Sequence, residues 1–245
     1  MTGSRITTRS GMWQSQTDRK GLSIGAKPRT TTSPSSMAVI IVLVAMATGC
    51  GLLRVTGEGP IQRETRQVDA FSRIEVSAGI GVTVRMSQTR SLEVRAQENI
   101  LPLIATDVEE DTLRIRSTRS YSATEGVEVT VATPTVGGIS MSGGSQGHVD
   151  GLETEHLDLD LSGGAGLTVT GAASTVTLGA SGGSRAELRN LSATAITLDV
   201  SGGSTVTVHP SDQVSGSASG ESRVIVLGDP EVSIEVSSGA QVTED

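Results

Sequence analysis

Ser142-Gly143-Gly144, Ser162-Gly163-Gly164, Ser181-Gly182-Gly183 and Ser201-Gly202-Gly203 are four copies of one phrase, and their spacing decides the fold. Degenerate copies follow at Ser219-Gly220-Glu221 and Ser237-Ser238-Gly239, and an early one stands at Ser77-Ala78-Gly79. From Ser142 onward the phrase returns every 18 to 20 residues, a fixed period that marks stacked-repeat architectures. With each Ser as position zero, thirty of the thirty-five slots at −5, −3, −1, +5 and +7 are apolar. Gly137, Gly147 and Gly216 take three of the others, and Ser72 and Glu244 fall in the first and last copies. The slots between them, at −4, −2, +4 and +6, contain a single large apolar residue, Ile225.

Strict alternation on both sides of a Gly pair spells strand, tight corner, strand, with every second side chain inward. Gly fits the corner because the backbone turns sharply there without a Cβ, and Ser beside it can bond local backbone and stack as a polar ladder. One coil cannot bury its own inner row, so coils must stack, giving parallel sheets about 4.8 Å apart per coil. The predicted fold is all-β: a parallel β-solenoid, or β-helix, of 18–20 residues per coil. Less regular strands come first, over 72–76, 81–86, 91–96, 112–117 and 127–132. Between the first two corners lie 65 residues, a block expected to cap the stack. Its stretch "QENILPLIATDVEED" reads as an irregular turn and an acidic loop.

The Ser-Gly-Gly corners, together with the preceding block "DAFSRIEVSAGIGVTVRMSQTRSLEVRAQENILPLIATDVEEDTLRI", resemble the bacterial family of the putative auto-transporter adhesin, head GIN domain. The resemblance covers residues 67–245 and implies a cell-envelope β-solenoid without established chemistry. Where that family places Asp after the phrase, this chain has Gln146, Gly166, Arg185 and Thr205. Those four corners therefore lack the family's carboxylate for a metal, and neither a metal nor a cofactor is expected.

Residues 1–36 are polar and cationic, with Arg5, Arg9, Arg19, Lys20, Lys27 and Arg29 against Asp18, and read as a long n-region or a mis-assigned start. Residues 37–50 carry an apolar run, short for a membrane span, that fits a signal-peptide core or an anchor. It ends in Ala47-Thr48-Gly49-Cys50, which resembles a bacterial lipobox, and that resemblance implies lipidation at Cys50. Cys50 is the only cysteine, which excludes an intramolecular disulfide. Residues 51–67, with Gly57, Gly59 and Pro60, read as a linker, and 68–245 as the solenoid domain. The expected location is outside the cytoplasm, on the outer side of the cytoplasmic membrane or in the outer membrane.

Beyond Cys50 the chain has thirteen arginines, no lysine and twenty-six acids, a net charge of −13 that argues against nucleic acid. With aromatics at 1% it also lacks the ring platforms of a sugar-stacking groove. Gly143-Gly144-Ser145-Gln146-Gly147 matches the nucleophile-elbow pattern, but no helix is expected after it and it is one corner among seven. His148, His156 and His209 have no partner at metal-ligand spacing. Asp158, Asp160 and Asp199 face outward, in a column that reads Glu75, Ser140, Asp160, Gly179, Asp199, Ser217, Glu235. Interspersed charge of this kind suits a solvated face. The expected role is a non-enzymatic binding or scaffold module tethered to the membrane, with envelope polysaccharide or a surface protein as partner. The alternatives are a polysaccharide-active β-helix enzyme and an accessory protein of envelope-stress sensing.

Overall fold

The computed structural model describes residues 54–245, so the segments assigned to 1–36 and 37–50, with Cys50, lie outside the described residues. The described part is a parallel β-solenoid of about five turns preceded by a cap. Its strands are β1 (Val55–Thr56), β2 (Ile61–Arg66), β3 (Arg73–Val76), β4 (Gly81–Met86), β5 (Ser91–Gln97), β6 (Ile104–Glu109) and β7 (Thr112–Ser117). They continue with β8 (Tyr121–Ser122), β9 (Glu128–Thr133), β10 (Gly138–Met141), β11 (Gln146–Leu161), β12 (Gly166–Ala180) and β13 (Arg185–Glu187). The last six are β14 (Leu191–Val200), β15 (Thr205–Val208), β16 (Pro210–Ala218), β17 (Arg223–Val226), β18 (Glu231–Val236) and β19 (Gln241–Glu244).

Two walls meet at the Ser-Gly-Gly corner. The first wall stacks the strand before each corner, in the order β7, β3, β10, β11, β12, β14, β16, β18, all parallel. The second stacks the strand after each corner, from β9 and β4 through β11, β12, β13, β15 and β17 to β19. The inner slots of the alternation line the core: Leu157, Leu159 and Leu161 are at most 3% exposed, and Ile196, Leu198 and Val200 at most 2%. Coils of 19 or 20 residues have a short third side, where Leu152–Thr154, Gly171–Ala173 and Leu191–Ala193 align. The 18-residue coil that follows keeps only Pro210 on this side, paired with Ala193.

At the corner, the first Gly of each pair sits directly over its counterpart in the coil before. A Cβ on Gly182 would meet the Gly163 nitrogen at 2.9 Å, and one on Gly202 the Gly182 nitrogen at 2.9 Å. Both also have φ above +60°, at 79° and 70°, where an L side chain is strained. Three residues after the leading Ser, a further slot points inward that the alternation alone did not expose. It holds the buried Ser145, Ser184, Ser204 and Ser222, and in other coils Ile80 and Ala165. Ser145 Oγ donates to the Ser142 carbonyl at 2.8 Å, and the Ser184 and Ser204 hydroxyls lie 3.2 Å apart. The polar ladder of the corner is therefore internal.

The N-terminal block departs from simple stacking in two ways. The β3–β4 coil is flanked by a coil that comes later in the chain, β7 with β9, on one side and by β10 with β11 on the other. Beyond β7 and β9 the walls turn antiparallel, through β6 on the first and through β5 and β2 on the second. The reading of 51–67 as a linker is corrected for residues 55–66, which hold β1 and β2. β2 escaped notice because its positions over the core, Gln62, Glu64 and Arg66, are polar while their partners Ala96, Val94 and Leu92 are buried. The stretch expected to be an irregular turn and acidic loop is one 3-10 turn, Leu101–Leu103, followed by the strand β6.

Candidate functional site

The outward face of the first wall is a regular surface built from eight parallel strands. Ladder pairing lines up Asp107, Arg114, Glu75, Ser140, Asp160, Gly179, Asp199, Ser217 and Glu235 in one column. Seven of these nine positions are the outward column read from the sequence, and Asp107 and Arg114 extend it into the cap. A second column two residues away runs Arg73, Gly138, Asp158, Thr177, Thr197, Ser215, Ser233.

The acids on this face have ordinary surface partners. Arg73 reaches over Gly138 to Asp158 at 3.1 Å, with both side chains about half exposed. Asp199 accepts a hydrogen bond from Ser217 Oγ at 2.9 Å. Arg114 pairs with Glu75 at 3.3 Å and also with Glu109. Such exposed pairs contribute little stability, about 0.2–1 kcal/mol each, so their weight lies in shaping the surface. Between Glu75, Ser140, Asp160 and the corner serines Ser142 and Ser162 is a hollow of about 310 Å3. It brings two carboxylates and several hydroxyls to one place on the flat wall.

A larger open groove, about 550 Å3, lies along the third side where the coils shorten. Its floor is Ala172, Ala173 and Ala193, and Glu153, His209 and Ser211 stand at its edges. Pro210 pairs with Ala193 as the last residue of this third sheet, and as a residue without an N–H it ends the ladder there.

The corner residues Ser142, Gly143, Gly144, Ser162, Gly163, Gly164, Ser181, Gly182, Gly183, Ser201, Gly202 and Gly203 all lie in the turns between the two walls. Their serines are half-buried, and most of their glycines face solvent. Ser145, the serine of the elbow-like pattern, is 0% exposed and spends its proton on the Ser142 carbonyl, so no substrate can reach it. His148 pairs with Asp150 at 2.8 Å, and His156, which lies inside β11, contacts Thr175 Oγ1 through Nδ1 at 2.5 Å. Among the described residues no group of three or more His, Cys, Asp or Glu could hold a metal ion, and no helix is long and apolar enough to cross a membrane. Burial pushes the Tyr121 phenol above its ordinary value, while its hydroxyl donates to the Ala78 carbonyl of the first corner at 3.1 Å.

A repeat stack of parallel strands with an antiparallel cap places the described part in the class of β-solenoid proteins. The chain belongs to the family described as putative auto-transporter adhesin, head GIN domain, whose model matches residues 70–230. Solved structures share the fold. A putative adhesin from Bacteroides fragilis is 20% identical, with a TM-score of 0.64 over 78% of this chain and 98% of that one. A putative adhesin from Parabacteroides merdae is 16% identical, with a TM-score of 0.52 over 79% and 99%. A protein from Parabacteroides distasonis named a putative lipid binding protein is 14% identical, with a TM-score of 0.51 over 78% and 99%. No curated protein matches the chain.

Proposed function

We propose that the chain is a non-enzymatic binding or scaffold module of the cell envelope, exported and held at a membrane through Cys50. Its first wall is the contact surface, and the ligand is an extended envelope polymer. The observation that carries this reading is the ladder itself. It repeats hydroxyls and isolated carboxylates at one coil spacing, about 4.8 Å, from Ser140 to Glu235 along a single straight column. A polymer with its own short repeat can make the same contact again and again on such a face, which gives avidity without a deep pocket. Membership of a family named for adhesins supports it. The lipobox-like Ala47-Thr48-Gly49-Cys50 supports the tether.

The chain from residue 54 onward, passed over immobilised envelope polysaccharides while the eluate is assayed for released sugar, tests the reading. Retention without release is expected. Release of product would overturn it in favour of a polysaccharide-active enzyme, with Asp158, Asp160 and Asp199 the residues to replace. The tether is tested separately by Cys50→Ser, which is expected to move the protein from the membrane fraction to the soluble one.

A further inference from the structure

Little chain lies between Cys50 and the start of the fold. Only Gly51, Leu52 and Leu53 separate Cys50 from Arg54, and four backbone steps span at most about 14 Å. From Arg54 onward the chain is fastened to the cap. Val55 N–H donates to the Ser120 carbonyl at 2.9 Å, and Gly57 N–H to the Ser122 carbonyl at 2.8 Å. Arg54 donates through Nε to the Tyr121 carbonyl at 2.7 Å. Asn99 clamps the next residues: its Nδ2 donates to the Thr56 carbonyl and its Oδ1 accepts from the Glu58 N–H, each at 2.7 Å. The β1–β8 pair therefore stands within a short reach of whatever holds Cys50.

Charge divides the molecule along the stack. Residues 54–136 carry ten arginines against twelve acids, a net of −2, whereas residues 137–245 carry three arginines against fourteen acids, a net of −11. Two of the cap's arginines flank the start of β1. β1 runs parallel to β8 with Val55 opposite Tyr121, so Arg54 and Arg119 enter the pair from the same end. Both are exposed, and among the described residues neither makes an ion pair. We infer that the cap rests on the membrane through this β1–β8 edge, with Arg54 and Arg119 on anionic phospholipid headgroups and the acidic repeats projecting away from the bilayer. The inference rests on the tether at Cys50 and names the surface that the tether brings to the lipid. Basic residues beside an anionic leaflet supply the second signal that strengthens a lipid anchor.

Other poses of a tethered solenoid fit less well. Lying along the bilayer on the first wall would bring Asp158, Asp160 and Asp199, all exposed, within a Debye length of the headgroups, about 8 Å at physiological salt. Standing clear of the bilayer needs a spacer, and the residues that read as one include the strands β1 and β2. With the cap on the lipid, the last corner at Ser237 is carried outward. It lies seven rungs from the β7–β9 coil, about 34 Å along the stack.

The test uses the full chain, expressed with export and lipidation and purified from membranes. It is placed in vesicles of phosphatidylcholine and phosphatidylglycerol that contain a nitroxide-headgroup lipid. Cys50 is the only cysteine, so once it is acylated Ser120→Cys, beside β1, or Ser237→Cys, at the last corner, supplies a single free thiol for a fluorophore. Quenching at position 120 is expected to exceed that at position 237 at least about threefold, given the rungs between them. A second protein carries an insert of about ten Gly and Ser residues after Leu53, with a reach of about 17 Å. In it, quenching at position 120 should depend on the arginines, falling at least about twofold in Arg119→Glu and in high salt. Arg119→Glu should melt as the parent does, since that side chain is exposed. Equal quenching at the two positions, or no loss in Arg119→Glu, would overturn the inference. Protein that fails to float with the vesicles would refute the tether at Cys50 and the inference with it, whereas the outcome of polysaccharide binding bears on neither.

Discussion

Arg66 and Ile104 join the two walls at the N-terminal end: Arg66 Nη1, on β2 of the second wall, donates to the Ile104 carbonyl on β6 of the first at 2.5 Å. The same guanidinium reaches the Leu101 carbonyl and Thr106 Oγ1, each at 3.2 Å. Arg66→Ala leaves these part-buried acceptors without a donor, and urea unfolding should show a loss of about 2 kcal/mol. Arg66→Lys should recover only part of it, because one ammonium cannot span the fork of contacts. An unchanged unfolding midpoint in Arg66→Ala would remove the clasp from the account of the cap.

Neighbouring glycines of one corner should respond in opposite directions. Gly182 has φ of 79° and no room for a Cβ against the Gly163 nitrogen, whereas nothing lies within 4 Å of a Cβ on Gly183. Gly182→Ala is expected to cost about 2 kcal/mol or more. Gly183→Ala should be neutral or stabilise by about 0.4–1 kcal/mol through the unfolded chain. Thermal melts of the two variants side by side decide it.

The inner row tolerates loss of volume better than gain of charge. Leu198 is 2% exposed and Leu159 3%. Leu198→Ala should lower stability by about 2–5 kcal/mol while the protein still melts cooperatively. Leu159→Asp places an unpaired charge between coils and should abolish the cooperative transition. Retention of the parent melt by Leu159→Asp would refute the register.

Alkaline pH should loosen the first corner. Tyr121, the single tyrosine, has its phenol pushed up by burial. The neutral phenol is therefore favoured more in the folded than in the unfolded state. That stabilisation is complete below the unfolded value, about 10, and is lost as pH rises through the higher folded one. Phenolate absorbance should rise at a higher pH in the native protein than in urea. Tyr121→Phe should abolish the signal and cost about 1 kcal/mol through the lost bond to the Ala78 carbonyl.

Much of this was legible in the sequence because a period of two and a period of about nineteen reinforce each other. Alternation alone put Ser140, Asp160, Gly179, Asp199 and Ser217 into one column, and ladder pairing aligns those residues. Three features were hidden for separate reasons. The buried slot of Ser145, Ser184 and Ser204 looked like loop, because a small polar residue beside Gly reads as turn. The variable occupant of that slot, Ile80 in one coil and Ala165 in another, was the available clue. β2 was hidden because a capping strand turns polar residues toward the core and so inverts the usual pattern. The position of β3 between β7 and β10 depends on contacts distant in the chain, to which local periodicity is blind. On the candidate face the columns could be read, but the pairing of Arg73 with Asp158 could not, since it passes over an intervening coil at Gly138.

That interleaved coil also sets a timetable. Repeat arrays generally grow by adding each unit to the one before, and from β10 onward this chain can do so. Its first coil cannot. β3 and β4 emerge early from any machine that delivers the chain N-terminus first, yet one set of their neighbours follows only with β7 and β9, and the other with β10 and β11. Until more than half of the polypeptide has appeared, the seed of the stack has no second face to lean on. Assembly therefore begins with a wait, and once the seed is clamped the remaining turns can wind on in the order in which they arrive.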